Sequence, residues 1–305
     1  MENTCIFVSS RGIAKSCTFY PKLILSDTDH NKYYNTHYLV DMLKSKMFDG
    51  MSIYVISNVI RFFIMKIMPK IKHKFILVTG ASVKTCPIEI LNEREFNFLM
   101  NNKYLIRWCS QNNIIYSLPR IKQIPLGLDY HTILNNSNHH WRDKNEGILP
   151  IEQEKILKEI LLDSKPFYNR ITNKIYTNFS MNADRFNQRK ISLNEIPKNL
   201  LDFSGGKYKR TKTWKIMTNF AFVLSPYGNG MDCHRHWEAL ILGCIPIIKS
   251  TEFENMFSDL CVLNVKNWSD INQKLLDDTI EKFKNMKFNM EKVKLEYWKN
   301  IIFQQ

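Results

Sequence analysis

The segment 220–250, FAFVLSPYGNGMDCHRHWEALILGCIPIIKS, constrains the fold more than any other part of the chain. An apolar run ends in two closely spaced glycines, residues with helical spacing follow, and Gly243 separates them from a second apolar run. This order predicts a strand, a tight turn, a helix and a second strand. Strands that are apolar throughout favour a parallel sheet covered on both faces.

The same alternation extends over most of the chain. Apolar runs predict strands at 52–57, 74–79, 114–118, 121–128, 174–179, 200–203, 218–224 and 244–248. Helical spacing predicts helices near 62–69, 93–101, 152–162, 232–242 and 290–303, with a further helix within 267–276. The polar stretch 135–150 separates the two series and reads as a domain-edge loop. The sequence therefore predicts two α/β domains, 1–150 and 151–285, followed by a C-terminal helix at 286–305.

Net charge narrows the choice of partner. Lys and Arg number 43 and Asp and Glu 29, so the net charge is +14, which favours nucleic acid, an acidic membrane surface or a phosphorylated small molecule. The chain shows neither a signal peptide nor an uninterrupted apolar run of about 18 residues, so no membrane span is expected. The seven cysteines lack C-x-x-C spacing, which predicts reduced, buried thiols in a cytoplasmic protein.

The glycine-rich turn has the features of an anion site. Gly228 and Gly230 allow the backbone to bend and to approach a ligand closely, and Ser225 and Asn229 flank them. Asp232 is positioned to cap the following helix, whose first amides have no partner within the helix. These amides favour a phosphate.

Three side chains of the following helix extend this site. His234, Arg235 and Glu238 share one broad helix face. A guanidinium in the first turn suits a diphosphate, and a carboxylate one turn further on can accept hydrogen bonds from ribose hydroxyls. The sequence therefore predicts a nucleotide site, although Arg235 and Glu238 can also form a simple surface ion pair.

Other phosphate and metal motifs fit less well. Gly228, Gly230 and Cys233 nearly match the dinucleotide fingerprint G-x-G-x-x-G, but Pro226 and Tyr227 are wrong for that turn. The P-loop pattern is missing from the sequence. His234 and His236 lie two residues apart and cannot face one ion from a helix, so no metal site is expected.

The segment 225–246 resembles the signature of exostosin-like glycosyltransferases, particularly short members from viruses, bacteria and plants. The matching positions are Ser225, Pro226, Gly228, Gly230, Asp232, Arg235, Trp237, Glu238, Ala239, Leu240, Gly243 and Pro246. Weaker similarity at 74–87, 106–112, 124–132 and 175–180 extends the resemblance over most of residues 50–265.

The resemblance implies a GT-B fold, in which two Rossmann-like domains face each other across a cleft. The first domain would bind a glycan or glycoprotein acceptor, the second a nucleoside diphosphate sugar linked to UDP or GDP, and the C-terminal helix would return to the first domain. It also implies an inverting transfer without a cofactor or a strictly required metal. Family members often carry Asp where this chain has Val83, so an acid or base role at that position is in doubt.

The remaining site residues follow from what such a transfer requires. The segment 185–215 has nine basic and two acidic residues, and its arginines Arg185, Arg189 and Arg210 suit a diphosphate best. Deprotonation of the acceptor needs a base, for which Asp129 and His131 are the first candidates. Asp27, Asp29 and His30 form a second candidate cluster.

Two other functions remain open from the sequence. A non-catalytic relative would keep the nucleotide-sugar site and lack the base. A nucleic-acid-binding protein would explain the charge, but the sequence has no zinc finger, basic zipper or RNP motif. The glycosyltransferase is the preferred interpretation, with neither nucleic acid nor a membrane as its partner.

Overall fold

The computed structural model describes residues 2–24, 32–115, 117–204, 206, 208–251 and 254–304. The chain divides into two compact units. The N-terminal unit comprises Val8–Leu126 and Leu295–Gln305, and the C-terminal unit comprises Met1–Phe7 and Gly127–Lys294.

Nine strands and eleven α-helices are found in the described residues. The strands are β1 Met51–Ile56, β2 Phe75–Gly80, β3 Leu105–Ser110, β4 Ile121–Gln123, β5 Ile171–Tyr176, β6 Leu201–Asp202, β7 Phe220–Leu224, β8 Ile245–Lys249 and β9 Leu263–Val265. The helices are α1 Ser10–Ser16, α2 Lys32–Met42, α3 Ile60–Phe62, α4 Glu93–Met100, α5 His131–Asn135, α6 Pro150–Leu162, α7 Gln188–Glu195, α8 Arg210–Met217, α9 His234–Ile241, α10 Gln273–Phe283 and α11 Leu295–Phe303.

The N-terminal unit has a parallel sheet in the order β1-β2-β3-β4. Strands β1 and β2 are buried along their whole length, as their continuous apolar runs predict. The strand predicted at 114–118 is wrong, because the Asn113 side chain accepts a hydrogen bond from the backbone of Ile115 and turns the chain. The strand lies earlier, at β3, where Arg107 interrupts the apolar pattern and donates to the Ile301 carbonyl.

The C-terminal unit has a parallel sheet in the order β6-β5-β7-β8-β9. From β5 the chain first adds β6 on one side and then β7 on the other. The carboxyl ends of β5 and β7 therefore form the switch point of the sheet, where open α/β sheets bind their ligands. The sequence patterns did not predict β9, which has three residues.

The two units meet in sequence at residue 126, whereas the prediction placed a domain boundary at residue 150. Residues after Gly127 group with the C-terminal unit because several of their carbonyls bond to it. The Tyr130 carbonyl accepts from Gln153 on α6, and the Trp141 carbonyl accepts from the Arg210 backbone at α8. Of the predicted segment 286–305, residues 295–305 group with the N-terminal unit.

The core follows the predicted pattern around α9. Trp237, Leu240, Ile241 and Leu242 are all buried. The seven cysteines are free and buried, which confirms their interpretation as small apolar residues. No helix among the described ranges is long and apolar enough to cross a membrane.

Candidate functional site

The glycine-rich loop leaves the carboxyl end of β7 at the switch point. The Ser225 amide donates to Ile247 on β8, and the Gly228 amide donates to the Gly230 carbonyl, so the loop folds back on itself with Asn229 exposed at its tip. Gly228 and Gly230 are not among the residues with positive φ. Gly228 is instead required by a close approach: an added Cβ would lie 3.1 Å from the Ala183 carbonyl and 3.2 Å from Cζ of Arg189.

Two arginines converge beside this loop on the ring of Phe179, which follows β5. The guanidinium of Arg189 lies 5.5 Å from the ring centroid and that of Arg235 lies 5.1 Å from it. Arg189 donates to the Ser180 carbonyl, and Nε of Arg235 donates to the Asn178 carbonyl at 3.1 Å. The residues that follow β5 thus hold one arginine from α7 and one from α9 at the switch point.

The arginine pair carries donors that the described residues leave unsatisfied. Nε of Arg189, Nη1 of Arg235 and Oγ of Ser225 are buried and have no hydrogen-bond partner in the described part of the chain. A buried polar group without a partner costs about 1 to 3 kcal/mol, and more when it is charged. An anion with several oxygens would remove this cost.

Electrostatics favour the same ligand. Burial, reinforced by the neighbouring Arg189, lowers the pKa of Arg235 to about 10. The Arg235 guanidinium therefore remains charged at neutral pH, and a bound anion relieves its repulsion with Arg189. The first amides of α9, which have no acceptor within the helix, add to the positive field.

Glu238 lies one turn further along α9 and is only partly buried. Its carboxylate interacts electrostatically with Arg235 and Arg210, but within the described ranges it forms no hydrogen bond or ion pair. It is therefore available to accept hydrogen bonds from a ligand beside the arginine pair.

Asp232 does not have the predicted role of helix cap. The N-cap is Cys233, and the Asp232 carboxylate accepts from Nε1 of Trp237 at 2.9 Å and lies 3.2 Å from Nδ1 of His236, which accepts from the Cys233 amide at 3.3 Å. Nε2 of His236 in turn donates to the Ser225 carbonyl at 3.0 Å. Asp232 is buried and holds the loop in place against α9, because both of its carboxylate oxygens accept from the Trp237 indole and not from the helix amides.

A second cluster forms around Asp129, just after the start of the C-terminal unit. The Asp129 carboxylate accepts from the Thr132 amide at 2.8 Å and from the Thr132 hydroxyl at 2.7 Å, and its Oδ1 lies 3.1 Å from Nδ1 of His131. Burial raises its pKa, but the charges of His131 and His234 and the two hydrogen bonds from Thr132 together outweigh burial and hold the pKa well below its usual range. Asp129 is thus a permanent carboxylate that orients His131, whose ring is partly exposed.

His234 connects this cluster to α9. Its Nδ1 donates to the Gly127 carbonyl at 2.6 Å, and its ring centroid lies 6.2 Å from that of His131. The cluster around Asp129 and the start of α9 therefore belong to one surface of the C-terminal unit.

The three arginines predicted for diphosphate binding have different environments. Arg189 belongs to the arginine pair. Arg210 is buried, donates to the Asp129 carbonyl and to Gln153, and lies 4.7 Å from the Trp214 ring. Arg185 is exposed and covers the Phe186 ring at 4.8 Å. The candidate base cluster Asp27, Asp29 and His30 lies outside the described residues.

Sequence reasoning missed the residues that hold these groups. Phe179 contacts both arginines of the pair, and Thr132 and Gln153 bond to Asp129 and Arg210. The available signal was the position of Phe179 at the carboxyl end of the predicted strand 174–179, where parallel sheets place ligand contacts. Among the described residues, no group of three His, Cys, Asp or Glu side chains has the geometry to hold a metal ion.

Comparison with models of known protein families and with curated proteins finds no match for this chain.

Proposed function

We propose that this protein is a glycosyltransferase that moves a sugar from a nucleoside diphosphate sugar, linked to UDP or GDP, to a hydroxyl of a glycan or glycoprotein. The observation that carries the proposal is the arginine pair, Arg189 and Arg235, with buried and unsatisfied donors Nε and Nη1 at the switch point of a parallel sheet. The resemblance of segment 225–246 to exostosin-like glycosyltransferases supports the same conclusion.

The arginine pair would bind the diphosphate and stabilise it as it leaves. Charge develops on the diphosphate oxygen when its bond to the sugar C1 breaks, and fixed positive groups lower the energy of that transition state. Arg189, Arg235 and the amides of the glycine-rich loop supply these groups. Glu238 would accept hydrogen bonds from the ribose hydroxyls, which distinguishes a nucleotide from pyrophosphate.

His131 is the proposed base. It takes the proton from the acceptor hydroxyl, the acceptor oxygen forms a bond to C1, and the bond from C1 to the diphosphate oxygen breaks on the opposite side. The reaction therefore inverts the configuration at C1. Asp129 lies 3.1 Å from Nδ1 of His131 and would stabilise the imidazolium that forms, as in other carboxylate–histidine pairs.

The architecture is compatible with a GT-B enzyme. Two α/β units with parallel sheets are what that fold requires, and residues 295–305 group with the N-terminal unit, as the resemblance implies for a C-terminal helix. We infer that the C-terminal unit binds the donor.

Calorimetry with UDP, GDP and pyrophosphate tests the donor site. We expect saturable binding that is lost in Arg235→Ala and Arg189→Ala and kept in Arg94→Ala, which removes an exposed arginine of α4. If no nucleotide binds and affinity for DNA falls steeply with salt, the protein binds nucleic acid instead.

Release of free diphosphate from a panel of nucleotide sugars and acceptors tests the reaction itself. Binding without release from any donor and acceptor pair would identify a nucleotide-sugar-binding protein without transferase activity. His131→Ala should lower kcat strongly and leave donor affinity unchanged, because His131 contacts the acceptor and not the diphosphate in this scheme.

A further inference from the structure

An aromatic cluster lies on the loop that follows α5. His139 and His140 stack with ring centroids 4.3 Å apart, and the Trp141 ring meets His139 edge-on at 4.8 Å. Trp141 is 36% exposed, whereas each of the other five tryptophans is at most 4% exposed. We call His139, His140 and Trp141 the histidine–tryptophan cluster.

The loop that carries this cluster is held in one conformation. Arg142 donates to the carbonyls of Ser137, Lys144 and Glu146, which closes the loop on itself. Two bonds fasten it to α8: the Trp141 carbonyl accepts from the Arg210 amide at 2.8 Å, and the Glu146 carboxylate accepts from the Thr211 hydroxyl at 2.8 Å. An exposed indole on a rigid loop offers a binding face without an ordering cost.

The cluster adjoins the proposed catalytic base. Helix α5 begins at His131 and leads directly into the loop, and the charges of Asp129 and Arg210 both act on the His139 ring. His139 accepts the Trp141 amide through Nδ1 at 3.3 Å, and burial followed by repulsion from His140 lowers its pKa. The His139 imidazole thus presents a polar ring edge at neutral pH and adds little charge.

The chemistry of the loop favours an uncharged sugar ring. Its charged residues cancel, because Arg142 and Lys144 are balanced by Asp143 and Glu146. An aromatic face attracts the C–H face of a pyranose through its negative quadrupole, while ring-edge nitrogens can bond to hydroxyls. The nearby Tyr208 cannot offer such a face as freely, because the Lys212 ammonium lies 3.7 Å above its ring.

From this arrangement we infer that the histidine–tryptophan cluster is a binding platform for an uncharged sugar ring of the acceptor, next to His131. The statement that this sugar belongs to the acceptor rests on the proposed function. The binding of a sugar to this surface is a separate physical event. It requires neither the nucleotide nor turnover.

Fluorescence quenching of the whole protein by acrylamide tests the platform. Because Trp141 is the exposed tryptophan, acrylamide quenches it selectively. The probes are uncharged methyl glycosides of common hexoses, pentoses and N-acetylhexosamines, and an oligothymidylate. We expect at least one glycoside, without nucleotide, to protect Trp141 saturably from quenching.

Substitutions at Trp141 test whether the glycoside binds to the indole ring itself. In saturation-transfer NMR, Trp141→Ala should weaken glycoside binding about tenfold, whereas Trp141→Phe should retain most of it because a stacking face remains. Tyr168→Ala, which removes another exposed aromatic ring of the C-terminal unit, should have no effect. A folded Trp141→Ala variant that binds the glycoside as well as the wild type overturns the inference.

The remaining outcomes separate this inference from the proposed function. If nucleotides bind at the arginine pair but no glycoside protects Trp141, the platform is rejected and the donor site stands. If a glycoside protects Trp141 but no nucleotide binds, the platform stands and the transferase proposal fails. Protection by the oligothymidylate alone rejects the platform and identifies a surface for single-stranded nucleic acid.

Discussion

Gly228→Ala is the most direct test of the arginine pair, because it alters the pair without removing a charge. The backbone of Gly228 does not need positive φ, so alanine introduces no backbone strain. The new methyl group would lie 3.2 Å from Cζ of Arg189 and well inside the contact distance of its Nη2. The Ala183 carbonyl, 3.1 Å away on the backbone, blocks an easy movement of the loop.

The size of the effect follows from this geometry. Arg189 must retreat by about 1 Å to restore normal van der Waals contact, which is enough to break a hydrogen bond to a bound phosphate. Loss of one charge-assisted hydrogen bond costs about 1.5 to 3 kcal/mol, or roughly 10- to 150-fold in affinity. Folding stability should change by less than about 1 kcal/mol, since alanine also restricts the unfolded chain.

The assay is calorimetric titration of UDP or GDP into the variant, combined with a double-mutant cycle. If Gly228→Ala acts by displacing Arg189, it should add little to the loss already caused by Arg189→Ala. Gly147→Ala is the matched control, because the three atoms nearest to its new methyl group all belong to the Glu152 side chain. Wild-type affinity in Gly228→Ala, or full additivity with Arg189→Ala, would refute the reasoning.

Three further substitutions test other parts of the C-terminal unit. Arg235→Lys keeps the charge but loses the planar fork, so calorimetry should show nucleotide affinity about tenfold lower; unchanged affinity would show that only charge matters. Glu238→Gln should weaken UDP or GDP binding and leave pyrophosphate binding unchanged, and an equal loss for both would exclude the ribose contact. Asp129→Asn should lower the free energy of unfolding in urea by about 1 to 3 kcal/mol at pH 7, since one acceptor is lost. Because the folded pKa of Asp129 is depressed, the stability that its charge contributes is present above about pH 4, and the difference should shrink as pH falls further; a difference that does not shrink below about pH 4 would contradict it.

The fold was predictable where burial imposes a simple pattern. Strands β1, β2, β7 and β8 are apolar almost throughout because both faces of a parallel sheet are covered, and each was predicted within two residues of its observed ends. Strand β3 was not predicted, because the charged Arg107 interrupts its apolar pattern. The Arg107 side chain is satisfied by a hydrogen bond to the Ile301 carbonyl of α11, nearly two hundred residues later in the chain. A contact of that kind leaves no local periodicity.

The site was predictable where function depends on adjacent residues. Gly228, Gly230 and Arg235 lie within one loop and one helix turn, so their chemistry could be inferred from spacing. The partner arginine could not be singled out in this way. Arg189 reaches the same ring as Arg235 only because β5 and β7 are neighbours, with the intervening β6 placed on the outside of the sheet.

The burial of a basic residue, and not the number of basic residues around it, indicates whether it belongs to a specific binding site. Within segment 185–215, Lys190, Lys198, Lys209, Lys212 and Lys215 are exposed, so water screens their charges and each contributes little to a specific site. Arg189 and Arg210 are the buried ones among the described basic residues of the segment. Arg210 is bound to the protein's own carbonyl and amide oxygens, whereas Arg189 retains a donor without a protein partner. The net charge therefore cannot indicate the ligand by itself. A guanidinium with an unsatisfied donor, placed beside a second guanidinium, favours the binding of a compact anion. The exposed lysines provide a field that draws such an anion toward the C-terminal unit.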